Sequence, residues 1–131
     1  MVGRNKKTLR SLTPLELEIM QVLWREGAGN VQEVQGKLAP KTELAYTTVQ
    51  TMLNVLHRKG KVKRVLKGRA YEYIPVVSEA AVSNQAVRDL VERMFGGSHE
   101  ELVMSLVKMR EVDPSRLAEL GRMAEQEDGD E

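Results

Sequence analysis

Side chains that can hydrogen-bond to the edges of DNA bases are concentrated between positions 47 and 54 of this sequence. An amide can pair with adenine through two hydrogen bonds, and a threonine can bond to a base or press its methyl group on thymine. For any single residue the competing interpretation is an ordinary solvated helix position. The candidate base-contacting residues are Thr47, Thr48, Gln50, Thr51 and Asn54.

Positively charged side chains follow directly in the chain, as contacts to DNA phosphates require. Each phosphate that is neutralised adds about 0.9 to the slope of log affinity against log salt. The candidate phosphate-contacting residues are Tyr46, Arg58, Lys59, Lys61, Lys63, Lys67 and Arg69, and Arg64 belongs to the same run. Because side chains alternate between the two faces of a strand, about half of these cations are expected to face DNA.

The charge of the chain is divided unevenly, although its formal net charge is only +1. Residues 1–77 contain 14 lysines and arginines against 6 glutamates, whereas residues 78–131 contain 6 basic and 13 acidic residues. This division indicates a front half that binds a polyanion and a back half with another task. The alternative is a set of merely solvated faces, which the clustering of the cations disfavours.

Composition excludes several other classes of protein. The 131 residues contain no cysteine, which removes disulfides, thiolate metal sites and cysteine nucleophiles and suits a cytoplasmic protein. No apolar run approaches the roughly 18 residues of a membrane span, and the basic N-terminus lacks the apolar region of a signal peptide. His99-Glu100 opens like a zinc-protease motif, but Val103 stands where the second histidine is needed. We therefore expect no enzyme activity, cofactor, metal or membrane insertion.

Helix and strand signals place both groups of residues in one small architecture. Thr13-Pro14 and Asn30 are helix-start signals, each with a glutamate three positions after the capping residue. Apolar spacing predicts a third helix over 45–58, and β-branched and aromatic residues around Lys67-Gly68 predict a hairpin. The predicted fold class is mainly α with a small β-hairpin wing (α+β). It comprises a winged helix-turn-helix domain over residues 12–77, whose third helix enters the major groove.

The back half of the sequence predicts three more helices, whose apolar stripes cannot form a core alone. We interpret residues 78–124 as a helical dimerisation domain that pairs with a second copy of the chain. Its candidate interface residues are Val82, Ala86, Leu90, Met94, Leu102, Val103, Leu106, Val107, Leu117 and Leu120. Residues 1–11 are expected to be a flexible basic N-terminus, and residues 125–131 an acidic disordered tail.

Three stretches of the sequence resemble the penicillinase-repressor family, which includes the BlaI/MecI repressors and CopY-type relatives. They are LTPLELEIMQVLW, AYTTVQTMLNVLHRKG and KVKRVLKGRAYEYIP, and the similarity spans residues 11–121. The resemblance implies a dimeric winged-helix transcriptional repressor that binds a palindromic operator. It also implies base contacts by Thr47, Thr48 and Gln50, backbone contacts by the wing around 67–69, and a membrane sensor protease as a partner.

The sequence departs from this family's pattern at three points. Copper-responsive relatives carry a C-terminal cysteine motif, and its absence here removes copper sensing from the expectations. The Asn-Phe bond that is cleaved in the penicillinase repressors aligns with Ser105-Leu106, so the resemblance does not carry that cleavage over to this chain. Many members have an arginine late in the recognition helix where this chain has Val55, which removes one polar contact.

The favoured hypothesis is therefore a dimeric repressor, and the resemblance implies β-lactamase-type genes as its targets. A sequence-indifferent architectural DNA-binding protein is the first alternative. It would keep its affinity when the operator is scrambled, whereas a specific repressor would lose about 10³-fold or more. A winged-helix protein-interaction module is the second alternative, and any nucleic-acid binding by it would be insensitive to salt.

Overall fold

The computed structural model of the chain describes residues 12–39 and 41–129, with side chains through residue 127. These ranges contain α1 (Pro14–Glu26), α2 (Val31–Leu38), α3 (Tyr46–Arg58), β1 (Val62–Lys67), β2 (Ala70–Pro75), α4 (Glu79–Met94), α5 (His99–Lys108) and α6 (Pro114–Gly129). The predicted mainly α class with a hairpin wing is confirmed. No helix in these ranges is both long and apolar enough to cross a membrane. The N-terminal segment 1–11, predicted to be flexible, lies outside the described residues.

Capping boxes begin the first two helices, as the sequence predicts. The Thr13 hydroxyl accepts a hydrogen bond from the backbone N–H of Glu16 (3.2 Å), whose carboxylate accepts one from the N–H of Thr13 (2.9 Å). Asn30 and Glu33 make the same reciprocal pair at the start of α2, with both distances 2.8 Å. Each box satisfies two backbone N–H groups that a helix start leaves without partners, and a cap of this kind stabilises by about 1 kcal/mol.

One apolar core lies between α1, α2, α3 and the hairpin. Its buried members are Ile19, Met20, Val22, Leu23, Val31, Val34, Leu38, Val49, Leu53, Leu56, Val62 and Tyr73. The three members from α3 lie at the i, i+4, i+7 spacing of one helix face. The opposite face of α3 is therefore left to solvent, and the core decides which side chains α3 presents.

The register of the hairpin decides which of its side chains share a face. Arg64 lies directly opposite Tyr73, which is buried, so both side chains are on the face that meets the helices. Lys63 and Lys67 lie on the other face by alternation. Gly68 makes the turn with a φ of 65°, a conformation that glycine adopts without steric penalty.

A third segment pairs with the hairpin, and no sequence signal predicts it. Gly29, between α1 and α2, exchanges two backbone hydrogen bonds with Tyr73, at N···O distances of 3.0 and 2.8 Å. A Cβ atom at position 29 would lie 3.3 Å from Cγ2 of Val34, so glycine permits the close approach of this segment to α2. The Trp24 indole N–H donates to the carbonyl of Val77 (2.9 Å), which ties the segment after β2 to α1.

The described residues divide into two compact units between residues 86 and 87, so the division falls inside α4 and not at the predicted boundary after residue 77. In the second unit Val91 is buried, and Ser98 caps α5 by accepting from the N–H of Glu101 (3.2 Å). Large apolar side chains remain exposed there: Val87, Leu90, Met94, Val103, Met104, Met109, Leu120 and Met123.

The acidic tail is helical where the structure describes it. Helix α6 continues to Gly129, so the prediction of disorder is wrong for residues 125–129. Glutamate and glutamine, which occupy positions 125–127, are good helix formers, so the helix that precedes them continues into the acidic segment. Residues 130–131 lie outside the described residues.

Candidate nucleic-acid interface

Four of the five predicted base-contacting residues are exposed on the face of α3 that the core leaves to solvent. Thr47, Thr48, Gln50 and Thr51 occupy its first two turns. The first turn of α3 contains no acidic residue and no side-chain cap. Nothing negative on that turn opposes the approach of a polyanion, and the helix dipole favours it.

Asn54, the fifth predicted base-contacting residue, is engaged within the protein. Its side-chain oxygen accepts hydrogen bonds from Nη1 of Arg64 and from the hydroxyl of Tyr73, both at 2.9 Å. A carbonyl oxygen has two lone pairs, and both are used here. Because pairing with adenine needs that oxygen as an acceptor, the prediction of base contact by Asn54 is corrected: the residue joins α3 to the hairpin.

Lys59 is also engaged within the protein, against the prediction that it contacts phosphate. Its ammonium lies 2.7 and 2.9 Å from the two carboxylate oxygens of Glu16, and the two side chains are only 18% and 5% exposed. Burial raises the pKa of Glu16, but hydrogen bonds from Lys59 and Thr13 outweigh it, so the pKa lies below its ordinary value. The pair fastens the end of α3 to the start of α1.

Lys61 is buried, with 3% of its surface exposed, so the prediction that it contacts phosphate is wrong. Burial lowers the pKa of its ammonium group, repulsion from Lys59 lowers it further, and attraction to Glu16 partly opposes both. Hydrogen bonds of its backbone hold Lys61 between the end of α3 and the residue after β2. The Lys61 N–H donates to the carbonyl of Leu56, and its carbonyl accepts from the N–H of Val76. The sequence shows only one more cation in a basic run, and nothing in that run distinguishes a buried lysine from an exposed one.

The other predicted phosphate-contacting residues are exposed. They are Tyr46 and Arg58 on α3, Lys63 and Lys67 on β1, and Arg69 in the turn. Lys67 forms an ion pair with Glu72 across the hairpin (3.0 Å), so part of its charge is already neutralised. Arg69 forms no ion pair in the described part of the chain and lies exposed in the turn at the tip of the wing.

A cleft of about 280 Å³ separates the start of α3 from the wing and from the start of α2. Its walls include Gln32, Tyr46, Gln50, Arg69 and Tyr71. These groups are hydrogen-bond donors, acceptors or aromatic faces, and no carboxylate lines the cleft. The structure thus brings the exposed part of α3 and the tip of the hairpin to opposite sides of one polar depression.

An exposed polar helix face beside a cationic hairpin, both supported by a three-helix core, defines a winged helix-turn-helix DNA-binding protein. The family model described as penicillinase repressor matches residues 12–126 of the chain. The chain belongs to the penicillinase repressor family, whose members are DNA-binding transcriptional repressors and not enzymes. The resemblance noted in the sequence is confirmed.

Individual relatives match over most of the chain. The penicillinase repressor of Bacillus licheniformis is 25% identical over 120 residues, which cover 92% of this chain and 94% of that protein. The methicillin resistance regulatory protein MecI of Staphylococcus aureus (strain N315) is 17% identical over 109 residues, covering 83% and 89%. A solution structure of monomeric Bacillus licheniformis BlaI in complex with the blaP half-operator is 32% identical, with a TM-score of 0.48, and the match covers 55% of this chain and 88% of that one.

Proposed function

We propose that the chain acts as a homodimer that represses transcription by binding a palindromic operator. One α3 helix would enter each of two successive major grooves, about 34–36 Å apart. The observation that carries the proposal is the exposed face of Thr47, Thr48, Gln50 and Thr51, beside a hairpin whose tip is cationic. A transcriptional repressor acts on chromosomal DNA, so the proposed location of this protein is the cytoplasm.

The two kinds of contact have separate tasks in this proposal. Thr47, Thr48, Gln50 and Thr51 read base edges. The sugar–phosphate backbone is held, and the register set, by Tyr46, Arg58, Lys63, Lys67 and Arg69. Only the first group distinguishes one sequence from another. The second group supplies most of the salt-dependent affinity, with about 0.9 of slope for each neutralised phosphate.

The apolar side chains of α4, α5 and α6 support dimerisation through this part of the chain. Of the predicted interface residues, five are exposed, namely Ala86, Leu90, Met94, Val103 and Leu120, and five are half-buried, namely Val82, Leu102, Leu106, Val107 and Leu117. An apolar surface of this kind is ordinarily covered in a soluble protein, and symmetric dimers are the commonest way to cover it. A second copy also supplies the second recognition helix that a two-fold operator needs.

The regulated genes and the release mechanism are proposed from the family alone. The name of the family points to β-lactamase-type genes, and a membrane sensor protease is the proposed partner in derepression. Ser105-Leu106, the position that aligns with the family's cleaved bond, lies inside α5 and is half-buried at both residues. A protease would have to unwind α5 to cut the chain at this position, so cleavage at another position is the better proposal for this chain.

Sequencing of genomic fragments retained by the protein tests the proposal. We expect enrichment of a two-fold sequence near promoters, and a loss of about 10³-fold or more in affinity when that sequence is scrambled at constant salt. Equal affinity for the enriched duplex and the scrambled duplex would instead favour a sequence-indifferent architectural DNA-binding protein. Light scattering of the free protein gives the oligomeric state, and a monomer at the concentrations that protect DNA would contradict the dimer.

A further inference from the structure

The Arg64 guanidinium is held by two neighbours, Asn54 and Tyr71, at the junction of α3 and the wing. Its Nη1 donates to the side-chain oxygen of Asn54 (2.9 Å), and its Cζ lies 4.4 Å from the centre of the Tyr71 ring. Tyr73 donates its hydroxyl hydrogen to the same oxygen of Asn54 (2.9 Å) and is 2% exposed, so the acceptor itself is anchored in the core. One hydrogen bond fixes the position of the guanidinium, and the aromatic face fixes its plane.

The held guanidinium still has N–H donors to offer. Arg64 is only half-buried, its bond to Asn54 uses one donor, and a guanidinium has several others arranged in a rigid fork. In the part of the chain that the structure describes, no carboxylate forms an ion pair with Arg64, whereas Lys59 and Lys67 each have one within 3.0 Å. The positive charge on Arg64 is therefore not neutralised by an acidic partner.

The position of Arg64 along α3 indicates what it would meet. Asn54 lies about 12 Å along the helix axis from Tyr46, at the rise of 1.5 Å per residue. The start of the recognition helix is the part that enters the groove, and its later turns approach the groove wall, where phosphates lie. A planar fork of donors with fixed orientation suits a phosphate, and a pre-set side chain loses little conformational entropy on binding.

We propose that Arg64 is a phosphate clamp of this repressor and that Asn54 is a positioning residue which acts on DNA through it. Asn54 holds the guanidinium on Tyr71 and does not itself touch a base. The inference rests on the proposed binding of operator DNA by α3, and it adds a contact that lies between the helix and the wing. It explains why an amide on the DNA-binding helix is turned toward the hairpin.

A double-mutant cycle on the full-length protein tests the proposal. The probes are the duplex enriched from genomic fragments and a mixed-sequence duplex of equal length, titrated over a range of salt. Arg64→Met keeps a long side chain on Tyr71 but removes the charge. We expect it to lower the salt slope by about 0.9 and the affinity by roughly fivefold near physiological salt, equally on both probes. Arg25→Met, which removes an exposed cation on α1, is the matched control and should leave the slope unchanged.

Asn54→Ala should weaken binding of both duplexes in the wild-type background and have no further effect in the Arg64→Met background. Tyr73→Phe removes the other hydrogen bond to the same oxygen, so it reports any general loosening of the wing. We expect it to lower the melting temperature without changing the salt slope. The proposal would be overturned if Asn54→Ala weakened binding equally in both backgrounds. It would also be overturned if Asn54→Ala weakened binding only to duplexes that carry one particular base pair of the operator. An unchanged slope in Arg64→Met would also overturn it, while discrimination of the operator by the wild type would leave the proposed function standing.

Discussion

Replacing Lys59 with methionine distinguishes a structural lysine from a DNA-contacting one. The ammonium is the partner of the Glu16 carboxylate. Residue Glu16 is only 4% exposed, and its carboxylate would stay buried without a counter-charge. Removing one partner of a fully buried pair costs about 3–5 kcal/mol. Because the Lys59 side chain is 18% exposed, water screens the pair in part, and we expect a loss of about 2–3 kcal/mol in the free energy of unfolding.

Thermal unfolding and DNA titration together provide the measurement. For a domain of this size the expected loss lowers the melting temperature by roughly 10–20 °C. The salt slope of DNA binding should stay the same at temperatures where both proteins are folded, since Lys59 meets no phosphate. Arg25→Met removes an equal charge from a surface pair and should change stability by no more than about 0.5 kcal/mol. A slope reduced by about 0.9 with an unchanged melting temperature would refute the reasoning.

The pH dependence of stability gives a second readout of the same pair. The pKa of Glu16 in the folded protein lies below its ordinary value of 4.5. Its contribution is fully present above the unfolded pKa and is lost as the pH falls through the folded pKa. The difference in stability between the wild type and Lys59→Met should therefore shrink in acid. If the difference in the free energy of unfolding stayed constant from neutral pH to below the ordinary pKa of 4.5, the assignment of the ion pair would be contradicted.

Three further predictions follow from the burial and exposure of named side chains. Lys61→Met should keep or raise stability at neutral pH, because the folded state lowers the pKa of Lys61. The penalty that the charged Lys61 imposes on the folded state should for the same reason shrink as the pH increases toward 10.5, so the difference in stability between Lys61→Met and the wild type should narrow there. Strong destabilisation by the substitution would contradict this. Gln50→Ala should weaken operator binding by about 5- to 150-fold and leave a mixed-sequence duplex unaffected, whereas equal loss on both in a gel-shift titration would remove Gln50 from base contact. Leu90→Glu, on the exposed apolar surface of the second unit, should yield a monomer in light scattering, and a persistent dimer would move the interface elsewhere.

Local patterns in the sequence were sufficient to predict the helices and the hairpin, and to predict which face of α3 is exposed. The capping boxes at Thr13 and Asn30 are contained within four consecutive residues each, so they can be read without knowledge of the fold. The apolar spacing of α3 decides its buried face, and the polar face at Thr47 and Gln50 follows by geometry. Non-local contacts were not visible in this way, and the bridge between Gly29 and Tyr73 joins residues far apart in the chain.

The amino-acid sequence by itself determined that this protein has a cationic hairpin after a polar-faced helix, and so determined its class. Only the tertiary structure decided which cations remain available. Lys59, Lys61 and Lys63 look alike in a basic run, yet the first meets Glu16, the second is buried and the third is exposed. The physical reason is that burial and ion pairing depend on side chains brought from distant parts of the chain. Residue type and spacing report only what each side chain could do.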